Sequence, residues 1–231
     1  MVNIGFLGDV SVGKTSLLRN FVCYLNKNHI TELSDGGNYF ITDTDFSGES
    51  LISEEKSITH KKTKTIHPNR VYFKEKDTGF SHTLFAPGGD RTRPVVRMGI
   101  ITISRIAKQI VAVIALDRSV KKQLKFFNTI RYFPKSVYIC FNKYDLLKER
   151  SESTLEEKQE INSLIARTKK FFNRRNIRIK DIFFTCAENV GKYKDLNDEA
   201  ADMILKIASE NVDSAPKQRQ SQVKNNIKVI S

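Results

Sequence analysis

The sequence has few cysteines and no long apolar run. The three cysteines, Cys23, Cys140 and Cys186, lack metal-ligand spacing, and their odd number leaves at least one thiol free in any internal pairing. We therefore expect a reducing, cytoplasmic environment. No apolar run approaches the about 20 residues that a membrane-spanning helix needs. The run that begins at Val2 leads directly into a glycine-rich loop, so we expect no signal segment. Because the second residue is valine and not glycine, we expect no N-myristoylation either.

Acidic residues are also scarce relative to basic ones. The chain of 231 residues has 26 Asp and Glu against 39 Lys and Arg, which gives a net charge of +13. Such a surface attracts anionic partners, for example a membrane surface, nucleic acid or an acidic protein. The basic residues are spread along the chain without a recognised nucleic-acid module, so charge alone leaves the partner open.

Short apolar runs alternate with amphipathic segments, a layout typical of an α/β fold. We expect three layers (α/β/α) around a six-stranded, mostly parallel sheet, in which a hairpin turning at residues 77–79 supplies one antiparallel edge strand. The predicted strands are residues 3–8, 70–76, 80–86, 110–117, 136–143 and 181–187. The predicted helices lie at about residues 15–26, 93–108, 119–132, 154–176 and 196–209.

The stretch GDVSVGKTS at residues 8–16 has the spacing of a phosphate-binding loop and stands between a predicted strand and a predicted helix. Backbone amides of such a loop turn towards phosphate oxygens, and the helix start adds a positive dipole end. Lys14 is placed to bridge the outer phosphates, and Thr15 offers a hydroxyl to Mg²⁺. The predicted nucleotide contacts here are Gly8, Asp9, Val10, Ser11, Val12, Gly13, Lys14, Thr15 and Ser16.

Base recognition is predicted at the N-K-x-D sequence of Asn142, Lys143 and Asp145, which follows a buried strand. The Asp145 carboxylate can accept hydrogen bonds from N1 and N2 of guanine, whereas adenine has no matching pair of donors. The TCAEN stretch follows the last strand, where Cys186 and Ala187 are predicted to support the base, with the Ala187 amide directed at the guanine carbonyl. The predicted ligand is therefore GTP or GDP.

These motifs, in this order, resemble the Ras-like small GTPase superfamily over about residues 2–209. The resemblance implies a P-loop NTPase fold with Mg²⁺ as cofactor. It also implies a switch threonine that binds Mg²⁺ and the γ-phosphate; Thr65 is the first candidate and Thr63 the alternative. The implied catalytic groups are Lys14 and Thr65, and the implied metal ligands are Thr15 and Thr65.

The resemblance divides the chain into a GTPase domain at residues 1–210 and a tail. Residues 27–62 are long and polar for a connection and are predicted to be an insertion in the first switch region. Residues 211–231 are rich in Lys, Gln, Ser and Asn and poor in core-forming residues, which predicts a disordered tail.

The stretch LFAPGGDR at residues 84–91 departs from the D-x-x-G motif of the family. Gly88 corresponds to the glycine that contacts the γ-phosphate, but Phe85 stands in place of the aspartate and Gly89 in place of the usual water-orienting glutamine. The bacterial and archaeal MglA-like GTPases also lack the aspartate and keep Pro-Gly, so this stretch resembles that branch most. Asp90, Arg91 and Arg93 lie just beyond and could supply a carboxylate or a cation in one state, with an exposed charged turn as the alternative.

The predicted function is a GTP-binding molecular switch with slow intrinsic hydrolysis. Val10, beside the γ-phosphate position, adds an obstacle, so an unidentified GTPase-activating partner is expected to complete the site, and an unidentified effector to read it. A GTP-binding scaffold that does not hydrolyse is the alternative that Phe85 and Gly89 support. A nucleic-acid-associated NTPase, suggested by the charge of +13, is the third.

Overall fold

The computed structural model describes residues 1–31, 38–50, 64–151, 153–187 and 192–210. Thr63 and the predicted tail at 211–231 lie outside these ranges. The strands are β1 (Val2–Leu7), β2 (Tyr39–Asp45), β3 (Glu49–Ser50), β4 (Lys64–Thr65), β5 (Asn69–Glu75), β6 (Ser81–Ala86), β7 (Gln109–Ala115), β8 (Ser136–Asn142) and β9 (Arg178–Thr185). The helices are α1 (Lys14–Thr31), α2 (Pro94–Ile106), α3 (Val120–Asn128), α4 (Tyr144–Arg150), α5 (Thr154–Asn173) and α6 (Lys194–Ser209).

The main sheet has seven strands in the order β2-β5-β6-β1-β7-β8-β9. Strands β6, β1, β7, β8 and β9 are parallel neighbours, and β5 pairs antiparallel with both β2 and β6. The predicted count of six is therefore wrong, and the antiparallel strand β5 lies one position inside the edge. The additional strand is β2, which falls in the segment predicted as a loop because only Tyr39 of this strand is buried.

A second, two-stranded sheet of β3 and β4 lies apart from the main sheet. Glu49 is paired with Thr65 in antiparallel register, and the Ile66 amide donates to the Gly48 carbonyl at 2.7 Å. The predicted three-layer arrangement did not include this sheet. Its effect is to fix the backbone of Thr65, the first candidate for the switch threonine.

The core lies on both faces of the main sheet. The strand β7 shows why its sequence is almost entirely apolar: Val111 and Val113 pack into the cluster beside α1 and α6, whereas Ile110 and Ile114 pack into the cluster beside α2, α3 and α5. A strand buried on both faces needs apolar residues at successive positions. Because β6, β1, β7, β8 and β9 run parallel, their carboxyl ends and the loops that follow lie at one edge of the sheet.

Helix starts explain two further boundaries. The amide of Glu156 donates to the Ser153 hydroxyl at 3.2 Å, so Ser153 caps the start of α5. The short helix α4 was not predicted, because it begins inside the N-K-x-D motif and has no side-chain cap. None of the helices in the described ranges combines the length and the apolar composition that a membrane span requires.

Candidate functional site

The glycine-rich loop connects the end of β1 to the start of the 18-residue helix α1. Its backbone has positive φ at Ser11 (56°) and at Gly13 (91°), a conformation that turns successive amides towards one side. Glycine is required at position 13 because a Cβ there would lie 2.2 Å from Nδ2 of Asn142. At position 8 a Cβ would lie 2.4 Å from the Val113 carbonyl oxygen. The loop therefore packs its backbone tightly against β7 and β8.

Lys14 is the one cationic side chain of this loop, at residues 8–16, and burial lowers its pKa. Its Nζ is buried and donates to the carbonyl oxygens of Gly8 and Asp9, at 2.9 Å each. Burial lowers the pKa of Lys14 to about 7, the Asp9 carboxylate opposes this shift, and the Arg118 guanidinium adds to it. Because its two hydrogen-bond acceptors are neutral carbonyls, the buried ammonium is stabilised by any anion that enters the loop.

Thr15, the second residue of α1, has a contact that the sequence analysis missed. Its Oγ1 accepts a hydrogen bond from Nδ2 of Asn69 at 3.0 Å. Asn69 is fully buried at the first position of β5, on the inward face it shares with Val71 and Phe73. A polar residue at the end of an apolar inward face is the signal that could have revealed it.

The loop after β6 lies directly against the phosphate-binding loop and β4. A Cβ on Gly88 would lie 2.2 Å from the Thr65 carbonyl oxygen, and a Cβ on Gly89 would lie 2.4 Å from both Asp9 C and Val10 N. Sequence reasoning treats Gly89 as a glutamine position that has lost its side chain. The structure shows that main-chain atoms of the phosphate-binding loop fill the space of such a side chain.

Phe85 does not face the phosphate-binding loop. Its side chain packs into the cluster under α2, whereas Leu84 and Ala86 pack into the cluster that contains Val12 and Leu17. The last β6 residue on the α1 face is therefore Ala86, which is paired with Asn69 of β5.

The charged residues after Gly89 serve local structure. Asp90 accepts hydrogen bonds from the amide and the hydroxyl of Thr92, at 3.1 and 2.6 Å. The Arg91 guanidinium lies 5.2 Å from the centre of the Phe126 ring and donates to the hydroxyl of Thr129. Arg91 thus binds the end of α3 instead of reaching the phosphate-binding loop.

Asn142 joins three loops at the carboxyl edge of the sheet. Its Nδ2 donates to the Val12 carbonyl oxygen at 2.9 Å, and its Oδ1 accepts a hydrogen bond from the Thr185 hydroxyl at 3.2 Å. Both side chains are buried, at 1% exposure for Asn142 and 0% for Thr185. The phosphate-binding loop, the N-K-x-D segment and the TCAEN segment are therefore held together by one side chain.

Lys143 connects the N-K-x-D segment to the turn that follows β7. It has left-handed backbone angles (φ 62°, ψ 39°) before α4, and its Nζ lies 2.7 Å from Oδ2 of Asp117. Burial alone would raise the pKa of Asp117. The hydrogen bond and charge of Lys143, together with the charge of Arg118, outweigh burial and hold this pKa below its usual value. Arg118 also donates to the Ser11 carbonyl oxygen at 2.6 Å. No sequence motif marks Asp117 or Arg118.

The remaining predicted base contacts lie where α4 and α6 begin. Asp145 is in the first turn of α4 and is 3% exposed. The Cys186 amide donates to the Leu196 carbonyl oxygen at 3.2 Å, and the Cys186 carbonyl oxygen accepts a hydrogen bond from Asn197. These contacts hold the backbone of the TCAEN segment, with Ala187 half-buried beside the α1-side core.

Neither a protein-family model nor a curated protein matches the chain. Among solved structures, a bacterial selenocysteine-specific elongation factor, EF-Sec, is similar at 13% identity with a TM-score of 0.49, over 89% of this chain and 29% of that chain. Two mutation variants of SsGBP are similar at 14% identity, with TM-scores of 0.47 and 0.48, over 90% of this chain and 57% of theirs. The chain thus spans less than two thirds of each of these structures.

The donor atoms near Thr15 restrict the metal that this site could hold. In the described part of the chain, no three His, Cys, Asp or Glu side chains are grouped as a metal site. The polar side chains in contact here are the Thr15 hydroxyl and the Asn69 amide. Such a set fits a hard cation that is held mainly by water and by the phosphates of a ligand, as Mg²⁺ commonly is.

Proposed function

We propose that this protein is a GTP-binding molecular switch that hydrolyses GTP slowly on its own. The observation that carries the proposal is the 2.9 Å hydrogen bond from Asn142 to the Val12 carbonyl, which connects residues 130 positions apart. It joins a loop of phosphate-binding sequence to a segment of guanine-reading sequence within one site. Residues 1–210 are proposed as the GTPase domain and residues 211–231 as a tail.

At the phosphate end, the amides of residues 8–16 and the Lys14 ammonium are proposed to bind the phosphates. The low pKa of Lys14 supports this role, because a bound phosphate would relieve the cost of its burial. The hydroxyls of Thr15 and Thr65 are proposed as Mg²⁺ ligands and the Gly88 amide as a γ-phosphate contact. When bound, Mg²⁺ neutralises charge that develops on the phosphate oxygens.

At the base end, the Asp145 carboxylate is proposed to accept hydrogen bonds from guanine N1 and N2. Its position in the first turn of α4, beside the left-handed Lys143, supports this role. Cys186 and Ala187 are proposed to support the guanine carbonyl, since the backbone of their segment is held by α6. A site of this kind rejects adenine strongly because adenine offers the carboxylate no pair of donors in the place of guanine N1 and N2.

Hydrolysis is expected to be slow. Gly89 has no side chain to orient water, and the space for one is filled by Asp9 and Val10. Phe85 lies on the opposite face of the sheet from Thr15. We therefore expect single-turnover hydrolysis by the full chain with Mg²⁺ to proceed at less than about 1 per minute, which is the regime of slow GTPases.

Radiolabelled GTP, bound in stoichiometric amount, would measure that rate, and Thr15→Ala serves as the reference for background hydrolysis. Turnover of tens per minute would show that another residue orients the water. A rate equal to that of Thr15→Ala would instead support the non-hydrolysing scaffold. The nucleic-acid alternative, based on the charge of +13, predicts DNA or RNA binding that weakens steeply with salt.

A further inference from the structure

Asn69 is a buried amide at the end of a strand face that is otherwise apolar. It opens β5 with 0% exposure, and the next inward residues, Val71 and Phe73, belong to the core. Burial of an amide is costly unless it forms hydrogen bonds. Asn69 directs its Nδ2 to Oγ1 of Thr15, 54 positions earlier in the chain, at 3.0 Å.

The carboxyl-terminal end of the neighbouring strand has no polar side chain on the α1 face. In the register of β5 with β6, Asn69 lies opposite Ala86, and Ala86 and Leu84 are apolar residues of β6 on that face, whereas His82, on the same face, lies opposite Phe73. Phe85, between Leu84 and Ala86, packs under α2. The polar side chain that reaches Thr15 from this edge of the sheet therefore comes from β5.

The chemistry of the two groups explains what the contact does. A hydroxyl has one proton and two lone pairs, whereas an amide side chain offers both a donor and an acceptor. When Nδ2 donates to Thr15, the second lone pair of Oγ1 is left to face a cation. When the amide is rotated by half a turn, its oxygen accepts a hydrogen bond from the Thr15 hydroxyl, and both lone pairs of Oγ1 are left to face a cation.

We propose that Asn69 positions the Thr15 hydroxyl as a Mg²⁺ ligand, from the strand beside β6, where Phe85 stands in place of the family's aspartate. The inference rests on the proposed function, because it concerns the Mg²⁺ that accompanies the nucleotide. Asn69 is a positioning residue that acts through Thr15. Since an amide is neutral, it orients the hydroxyl without adding negative charge.

The test is the Mg²⁺ dependence of nucleotide release. Fluorescent GDP is loaded on the full chain, and its dissociation rate is measured over a Mg²⁺ titration, with EDTA as the metal-free limit. Asn69→Ala should raise the Mg²⁺ concentration for half-maximal slowing about 10–100-fold, the usual effect of losing a group that orients a metal ligand. The rate in EDTA should stay within about twofold of the unmodified rate, because the phosphate contacts of Lys14 remain.

Two further variants separate positioning from simple packing. Asn69→Asp keeps the shape and adds charge, so its half-maximal Mg²⁺ concentration should equal or fall below that of the unmodified chain. In a Thr15→Ala background, Asn69→Ala should add less than about twofold, because the partner through which it acts is gone. Should Asn69→Ala fail to fold, the Asp variant decides, and a raised Mg²⁺ requirement there overturns the proposal.

An unchanged Mg²⁺ requirement in Asn69→Ala would also overturn the proposal, as would equal acceleration with and without metal, which marks a packing role. Both outcomes are distinct from failure of the proposed function. If the proposed function itself were wrong, the unmodified chain would not retain GDP at any Mg²⁺ concentration.

Discussion

Replacing Asp145 by asparagine should lower the affinity for GDP about 10²–10⁴-fold, because two hydrogen bonds to a charged acceptor, each worth about 1.5–3 kcal/mol, are lost or reversed. Asparagine has nearly the shape of aspartate, so the buried start of α4 should keep its packing. Titration calorimetry or displacement of fluorescent GDP measures the change. Asp77→Asn is the matched control, since Asp77 is exposed in the hairpin turn at the opposite end of β5 and β6.

The same substitution should favour xanthine. Xanthine keeps the N1 donor of guanine but has a carbonyl oxygen in place of the N2 amino group. The amide of asparagine has an oxygen that accepts from the N1 donor and an NH₂ group that donates to the carbonyl oxygen, so it complements that pattern. If Asp145→Asn bound GDP as tightly as the unmodified chain, or showed no gain for xanthosine diphosphate, the guanine-reading role of Asp145 would be wrong.

Replacing Lys14 by methionine should weaken GDP binding about 10- to 150-fold, through loss of a charge-assisted contact of about 1.5–3 kcal/mol. Methionine keeps much of the apolar stem, and the burial of an ammonium no longer has to be offset. The exposed Lys76→Met is the control for loss of positive charge. Unchanged affinity for GDP in Lys14→Met would reject Lys14 as the phosphate-binding lysine.

The pKa of Lys14 adds a second signature. In the free protein it is about 7, against an ordinary value of 10.5, so the folded chain binds fewer protons than the unfolded chain between these pH values. This group therefore makes the free protein more stable as pH rises through that window. Bound phosphate reverses the shift, so GDP binding at about pH 8.5 should take up about one proton in the unmodified chain and none through position 14 in Lys14→Met. Calorimetry in buffers of different ionisation enthalpy measures this uptake.

The two motifs proposed to bind the nucleotide could be recognised in the sequence because each is local. A phosphate-binding loop needs only its own glycines, lysine and threonine between a strand and a helix, and N-K-x-D needs only the end of a buried strand. Apolar periodicity likewise predicted β1 and β5 to β9, each of which has buried apolar residues at alternate or successive positions. The pattern failed for β2, because an edge strand that buries only Tyr39 has no apolar alternation.

The contacts that shape the site could not be predicted in this way. Asn69 meets Thr15, and Arg118 meets Ser11 from 107 positions away, only because strand order brings their loops to one edge. The space at Gly89 depends equally on tertiary packing, since the atoms that fill it belong to Asp9 and Val10. A sequence shows that position 89 lacks a side chain, but not that backbone occupies its place.

Competition between guanine and adenine nucleotides tests the central claim most directly. The full chain is loaded with fluorescent GDP in the presence of Mg²⁺, and the concentrations of GDP and of ADP that displace half of it are compared. A site that reads the guanine edge through the buried Asp145 should require about 10⁴-fold more ADP than GDP. Equal displacement by ADP and GDP, or a chain that binds neither, would contradict the account.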